Sequence, residues 1–255
     1  MKQYKAVEII SQAIINDGKA MAIFLKGSLA RQTEDQYSDV DFYVVVADEN
    51  YEQFLKKRLD YLNKYGHILY FTETYFVAPQ IVCVFEDGLH FDFYVTKMDN
   101  INYYDNIAII YDPHHLLDDY QKKPLSLNSQ ETANIVHSFC FAAVEFNAAY
   151  QRQDLLFAFR LANHMFADLA CYLRTVIEPD FARIGLKGFY QNLSEPYRSK
   201  YLEIAKYLSL ENCLLSVKMM LGYFDQLIIN VPIRVAEFLN FEFFQFAKNL
   251  LMGME

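Results

Sequence analysis

Residues 27–46 read GSLARQTEDQYSDVDFYVVV, and the second half of that stretch decides the fold. "VDFYVVVAD" alternates as a strand does. Val40, Phe42, Val44 and Val46 share one face, while Asp39, Asp41 and Tyr43 share the other. A strand entering a hydrophobic core has little use for carboxylates at positions i and i+2. At about 3.3 Å per residue the two aspartates stand roughly 7 Å apart along the strand. They repel unless a positive charge lies between them. A hard cation such as Mg2+ prefers carboxylate and phosphate oxygens and supplies that charge.

The flanking sequence extends this strand into a sheet. Upstream, "AMAIFLK" reads as a buried strand running into Gly27-Ser28. Before it, residues 3–16 carry Val7, Ile10, Ala13 and Ile14 at helical spacing, with Asp17-Gly18 as a stop. Downstream, Asp48 is a candidate cap for the helix "ENYEQFLKKRLDYLNKYG", with Gly66 as its end. "HILYFTE" is a further strand. "QIVCVFE" and "LHFDFYVT" flank Asp87-Gly88, a favoured two-residue hairpin turn. In the second arm Leu89, Phe91, Phe93 and Val95 form an apolar face, and His90, Asp92, Tyr94 and Thr96 a polar one. "IAIIYDP" is the final strand, stopped by Pro113.

The texture then changes. "DPHHLLDDYQKKPLSLNSQ" is polar and loop-like, and Asn128 with Glu131 resembles a capping box. Helices are expected over 129–152, 154–177, 197–208, 211–229 and 233–251. The expected fold is α+β: a mixed β-sheet flanked by helices over residues 1–120, then a helical bundle over 121–255.

Composition narrows the function classes. At 53% hydrophobic residues the chain has enough apolar side chains for a substantial core. Its rings are phenylalanine and tyrosine spread along the chain, which suits core filler better than one binding motif. A net charge of -9 argues against a nucleic-acid-coating surface. It is compatible with a small cationic or neutral partner, or with a nucleotide held through metal. Cys83, Cys140, Cys171 and Cys213 are scattered without a CxxC pair, so they carry no zinc signature and no disulfide framework. The N-terminus lacks the continuous apolar stretch of a signal peptide, and no apolar run is long enough for a bilayer. A cytoplasmic protein with reduced cysteines and no membrane partner is expected.

Asp92 adds a third carboxylate on the polar face of another strand. If that strand neighbours the one carrying Asp39 and Asp41, three carboxylates converge on one site. Such a set suits one or two Mg2+ ions in phosphoryl or nucleotidyl transfer. Gly27-Ser28 supplies a cradle for phosphate, because glycine admits close approach of backbone N–H groups and the hydroxyl adds a hydrogen bond. Arg31, on the same loop, is either a clamp for phosphate oxygens or an exposed loop arginine.

"GSLARQTEDQYSDVD" resembles the signature of the polymerase-β-type nucleotidyltransferase superfamily: Gly-Ser, a spacer, then Asp-x-Asp between apolar residues. Within it the chain is similar to the antibiotic nucleotidyltransferases, both the kanamycin-type aminoglycoside enzymes and the larger lincosamide enzymes. "SQETANIVHSFCFAAVEFNAAYQRQD" also looks like the start of their helical domain. The resemblance implies a nucleotidyltransferase domain over 1–120 and a helical substrate-binding domain over 121–255. It implies that Gly27 and Ser28 hold the nucleotide phosphates, Asp39, Asp41 and Asp92 form the Mg2+ and catalytic set, and Arg31 contacts the triphosphate. Lys26 departs from the aromatic or apolar residue often found before the glycine. Its side chain is expected to reach solvent rather than to lend charge to the phosphates.

Transfer to a hydroxyl acceptor also needs a base. Glu145 is the candidate, sharing a helix face with Ser138, Phe141, Ala142, Ala148 and Ala149. The kanamycin-type enzymes carry a catalytic Glu on the matching helix; the alternative is a surface glutamate or an ion-pair partner. Arg160, His164 and Asp168 form a polar stripe on the next helix, read as an ion-paired network between helices ahead of a substrate contact. His114-His115 reads as solvated.

The reading that follows is Mg2+-dependent transfer of a nucleoside monophosphate, AMP from ATP, to a hydroxyl of a small antibiotic, a lincosamide or an aminoglycoside, giving resistance. Its partners are a nucleoside triphosphate and a small-molecule hydroxyl acceptor. A homodimer is compatible with the sequence but not demanded by it. Two alternatives stand beside it. One is a nucleotidyltransferase acting on a protein or tRNA. The other is a non-catalytic, antitoxin-like nucleotide-binding partner module.

Overall fold

The computed structural model describes residues 1–254. They fall into two compact units, Met1–Lys123 and the remainder from Pro124.

The first unit is built around a six-stranded mixed sheet. Its strands are β1 (Ala20–Lys26), β2 (Val40–Val46), β3 (Ile68–Tyr75), β4 (Pro79–Phe85), β5 (His90–Thr96) and β6 (Ala108–Tyr111), in the spatial order β3-β4-β5-β2-β1-β6. Every neighbouring pair is antiparallel except β2 and β5. The β4–β5 hairpin closes through Gly88 at φ +74, and the left-handed turn there needs a residue without a Cβ penalty.

The two faces of β2 are both buried, against different neighbours. Val40, Phe42, Val44 and Val46 pack beneath two helices, α1 (Lys2–Asp17) and α3 (Asp48–Leu62), through Ala6, Val7, Ile10, Ile14, Phe54 and Leu62. On the other face Tyr43 and Val45 join Phe24, Tyr94, Ile101 and Leu117. Tyr43 stacks on Tyr94 at 4.3 Å and on Phe24 at 5.1 Å between ring centroids. The irregular segment that supplies Ile101 and Leu117 therefore covers the sheet where no helix does. The polar residues expected on this face of β2 are confined to its first end, Asp39 and Asp41.

Three local readings need correction. Asp48 does not cap α3; Ala47 occupies the N-cap position, Asp48 opens the first turn, and the helix closes at Asn63 rather than Gly66. Gly27-Ser28 is not a simple turn but the start of a short helix, α2 (Gly27–Arg31). Lys26 does not reach solvent. It is 7% exposed, with its ammonium on the carbonyls of Asn102 and, at 2.9 Å, Tyr104.

The second unit is helical throughout: α4 (Ser129–Gln151), α5 (Leu155–Ile177), α6 (Phe189–Asn192), α7 (Tyr197–Lys206), α8 (Cys213–Ile228), α9 (Ile233–Ala236) and α10 (Phe241–Met252). The capping box at Asn128 and Glu131 is formed in both directions, each bond 2.8 Å. The single helix expected over 233–251 breaks in two. Asn240 caps the second piece by accepting from the Phe243 amide at 2.9 Å. Phe139, Phe146, Met165, Leu169, Tyr172 and Phe224 are among the side chains of its own core.

Candidate active site

The site begins where β1 ends. Lys26 leads into Gly27, whose φ of +65 lies in the left-handed region. A Cβ on Gly27 would overlap the Asp41 Oδ2. Glycine is needed here twice, for the backbone angle and for the carboxylate beside it. α2 then runs for five residues, fixed by burial of Leu29, and ends at Gln32 in the left-handed conformation. The Ser28 hydroxyl is buried and makes no hydrogen bond. A buried hydroxyl without a partner is costly unless a ligand completes it.

The return to β2 is held from α1. Gln3, fully buried, donates to the carbonyls of Asp35 and Ser38 at 3.1 and 2.8 Å. The Asp35 carboxylate accepts from the Tyr37 amide, and the Ser38 hydroxyl from the Asp35 amide. This turn delivers Asp39 to the start of β2. The parallel pairing of β2 with β5 then sets Asp41 directly opposite Asp92. The conditional neighbourhood of the two strands is met, and it is met in register.

A residue the sequence reading left unassigned completes the group. His90, two positions before Asp92 on the same face of β5, brings its Nε2 to 3.2 Å from Asp92 Oδ1. One ligand atom each from Asp39, His90 and Asp92 lie within 4.8 Å of one another. Asp92 Oδ1 is buried yet accepts no hydrogen bond. Burial raises the Asp92 carboxyl above its usual range; the Asp39 charge adds to this, while His90 and Gln80 oppose it. Such a carboxylate is a candidate cation ligand. The clue to His90 was present in the alternation of "HFDFYVT", which places His90 and Asp92 on one face.

Arg31 is paired with the Asp105 carboxylate. Asp105 itself sits at φ +74, in a segment pinned by the Lys26 ammonium and by the Tyr120 hydroxyl, which donates to the Asp105 carbonyl at 3.0 Å. Burial lowers the Lys26 amine to about 8, against the pull of Asp105 and Asp41. Nothing in the local sequence around 102–106 announced this support.

In the second unit Glu145 lies half-buried on α4; of the face assigned to it, Ala142 and Ala149 are buried and Phe141 is exposed. Ser138, His164 and Asp168 form a separate cluster across α4 and α5. The Ser138 Oγ is 3.0 Å from His164 Nε2, which is 3.4 Å from Asp168 Oδ2. Arg160, expected in the same stripe, is exposed. His115 pairs with Asp118 at 3.2 Å.

No helix among the described residues is long and apolar enough to cross a membrane. In sequence, the chain matches no curated protein. Among solved structures it is similar to an aminoglycoside 6-adenyltransferase from Bacillus subtilis, at 12% identity and a TM-score of 0.31, over 98% of each chain. The family described as streptomycin adenylyltransferase matches residues 1–249. The match spans nearly the whole chain, and the chain belongs to the streptomycin adenylyltransferase family.

Proposed function

We propose that this chain transfers AMP from ATP to a hydroxyl of an aminoglycoside antibiotic, with Mg2+ held by Asp39, Asp41 and Asp92. The observation that carries the reading is the register of Asp41 with Asp92, which gathers acidic side chains from two strands beside the Gly27-Ser28 segment. The family match supports the adenylyl donor and the aminoglycoside class. The acidic balance of the chain suits a polycationic acceptor better than a lincosamide.

The donor set fits a divalent cation. It contains a buried carboxylate oxygen lacking a hydrogen bond, and its Asp92 carboxyl is raised by burial. Asp39, Asp41 and Asp92 would hold the cation, which would supply positive charge to offset that of the phosphates during transfer. The chain's own residues do the positioning. The Gly27 backbone and the Ser28 hydroxyl seat the phosphates, with Ser28 donating its unused hydrogen bond. Arg31 exchanges Asp105 for triphosphate oxygens, a swap between two anions on one guanidinium. Glu145 accepts the proton from the acceptor hydroxyl as that oxygen attacks the α-phosphorus and pyrophosphate leaves. In this scheme residues 1–120 handle the nucleotide and 121–255 the acceptor.

The test is incubation with MgATP and a panel of aminoglycosides, streptomycin included, beside lincosamides, with mass spectrometry of the small molecules. A mass gain of one AMP on an aminoglycoside, absent in Asp41→Asn, supports the proposal. Modification of a lincosamide alone would redirect the acceptor. Adenylylation of a co-purified protein or tRNA, with every antibiotic unchanged, would replace the reading. Normal turnover in Glu145→Gln would remove Glu145 as the base.

A further inference from the structure

We propose that His90 is a direct ligand of the catalytic cation, and that Asp39, His90 and Asp92 make a mixed nitrogen–oxygen site favouring a first-row transition cation, such as Mn2+, over Mg2+. The inference rests on the reading of this group as the cation site and adds to it the ligand atom and the metal class.

Three observations carry it. First, His90 Nε2 and Asp92 Oδ1 lie side by side at 3.2 Å, with Asp92 itself buried. Two donor atoms at this spacing are disposed as neighbours in one coordination sphere. At metal–ligand distances of about 2.0–2.1 Å, adjacent donors of an octahedral ion stand roughly 3 Å apart. Second, the third donor, from Asp39, lies within the same 4.8 Å span, so the group converges from two chain segments rather than from one acidic run. Third, Asp92 is 9% exposed and His90 is open, its side chain 45% exposed. The buried member anchors the site, and the open one leaves a path for the ion. Asp41, in strand register with Asp92 and pressed against Gly27, keeps its place beside this trio.

Donor chemistry then sets the preference. Mg2+ takes oxygen and keeps several waters. An imidazole nitrogen shifts affinity toward Mn2+, Co2+ and Zn2+, in the usual rising order of that series.

The experiment titrates Mn2+ alone into the full chain, followed by electron paramagnetic resonance, with pulsed measurement of 14N coupling. Bound Mn2+ is expected to show a histidine nitrogen coupling. In His90→Ala that coupling disappears and Mn2+ affinity falls at least about tenfold, the lower end of what losing even an outer-sphere partner costs. Mg2+ affinity, measured by competition, falls less. His90→Gln and the metal-free unfolding midpoints of both variants check that the loss is not one of folding. Coupling absent from the wild type, coupling that survives in His90→Ala, or no bound Mn2+ would each overturn the proposal. AMP transfer that persists with Mg2+ while nitrogen coupling is absent removes His90 as a ligand and leaves the proposed reaction standing.

Discussion

Two of the histidine–aspartate pairs among the described residues look alike in isolation and differ in company. His90 and Asp92 lie 3.2 Å apart in the first unit, and His164 and Asp168 lie 3.4 Å apart in the second. Each aspartate is raised by burial, and each keeps a buried oxygen without a hydrogen bond. Around Asp92 stand two further carboxylates, Asp39 within ligand distance and Asp41 in strand register. Around Asp168 stand a serine hydroxyl and an apolar helix face. An unpaired buried oxygen therefore does not by itself mark a cation site. Several anions gathered at one place are the stronger sign, because a bound cation offsets their mutual repulsion.

The largest effect that can break this contrast comes from Asp41→Asn. It removes one charge from the crowded cluster without changing volume. We expect turnover to fall at least on the order of 10²-fold, the scale of losing one preorganised group that faces developing charge. Stability without metal should change little, since a like-charge repulsion and the attraction to the buried Lys26 ammonium go together. Steady-state kinetics beside thermal unfolding reads both. Asp168→Asn should leave turnover nearly intact, and a comparable loss there would erase the distinction between the clusters.

Gly27→Ala should come next. The left-handed φ costs a non-glycine residue roughly 1–2 kcal/mol, and the added Cβ displaces the Asp41 carboxylate. Activity should drop toward the level of Asp41→Asn, but with a lowered unfolding midpoint. A variant that loses stability and keeps its turnover would show that the position of Asp41 matters less than its charge.

Much of this was legible in advance. The alternation in "VDFYVVV" announced the strand, and Asp-Gly at 87–88 announced the hairpin that carries Asp92. Pattern placed β2 and β5 correctly as strands, while their parallel pairing is a tertiary fact with no local signature. The same limit explains Lys26. A lysine before a glycine reads as a surface residue, and only the remote carbonyls of Asn102 and Tyr104 make its burial tolerable. His90 was visible on the polar face of its strand, yet its role depends on Asp39 from another segment. The break at 237–240 escaped because its apolar spacing continues across it; the stop comes from Asn240, which caps α10 and whose amide donates to His137 at 3.0 Å.

A pH series with and without divalent cation sharpens the comparison further. A carboxyl whose folded pKa is raised binds more protons folded than unfolded. Its contribution is most favourable below the ordinary value of 3.8 and is lost as pH rises through the raised value. Asp92→Asn and Asp168→Asn should therefore each be more stable than the wild type at neutral pH without metal, with the advantage fading in acid. Adding Mn2+ or Mg2+ at pH 7 should reverse the advantage of Asp92→Asn, because the ion stabilises only the folded wild-type site. It should leave that of Asp168→Asn unchanged. Equal responses of the two variants to metal would mean that the second cluster also binds the ion.

The smallest expected effect is that of Ser138→Ala. The Ser138 hydroxyl contacts a histidine whose side chain is 54% exposed, where water replaces the lost partner, and it also supports the Asp168 carboxylate, so the cost is that of one hydrogen bond. Unfolding should change by at most about 1 kcal/mol, the net value of one ordinary hydrogen bond. AMP transfer should be unaltered, since nothing in the cluster gathers charge as the group around Asp92 does. A tenfold or greater fall in turnover, with the unfolding midpoint unchanged, would instead place Ser138, His164 and Asp168 against the acceptor. The two pairs would then divide the two substrates between them.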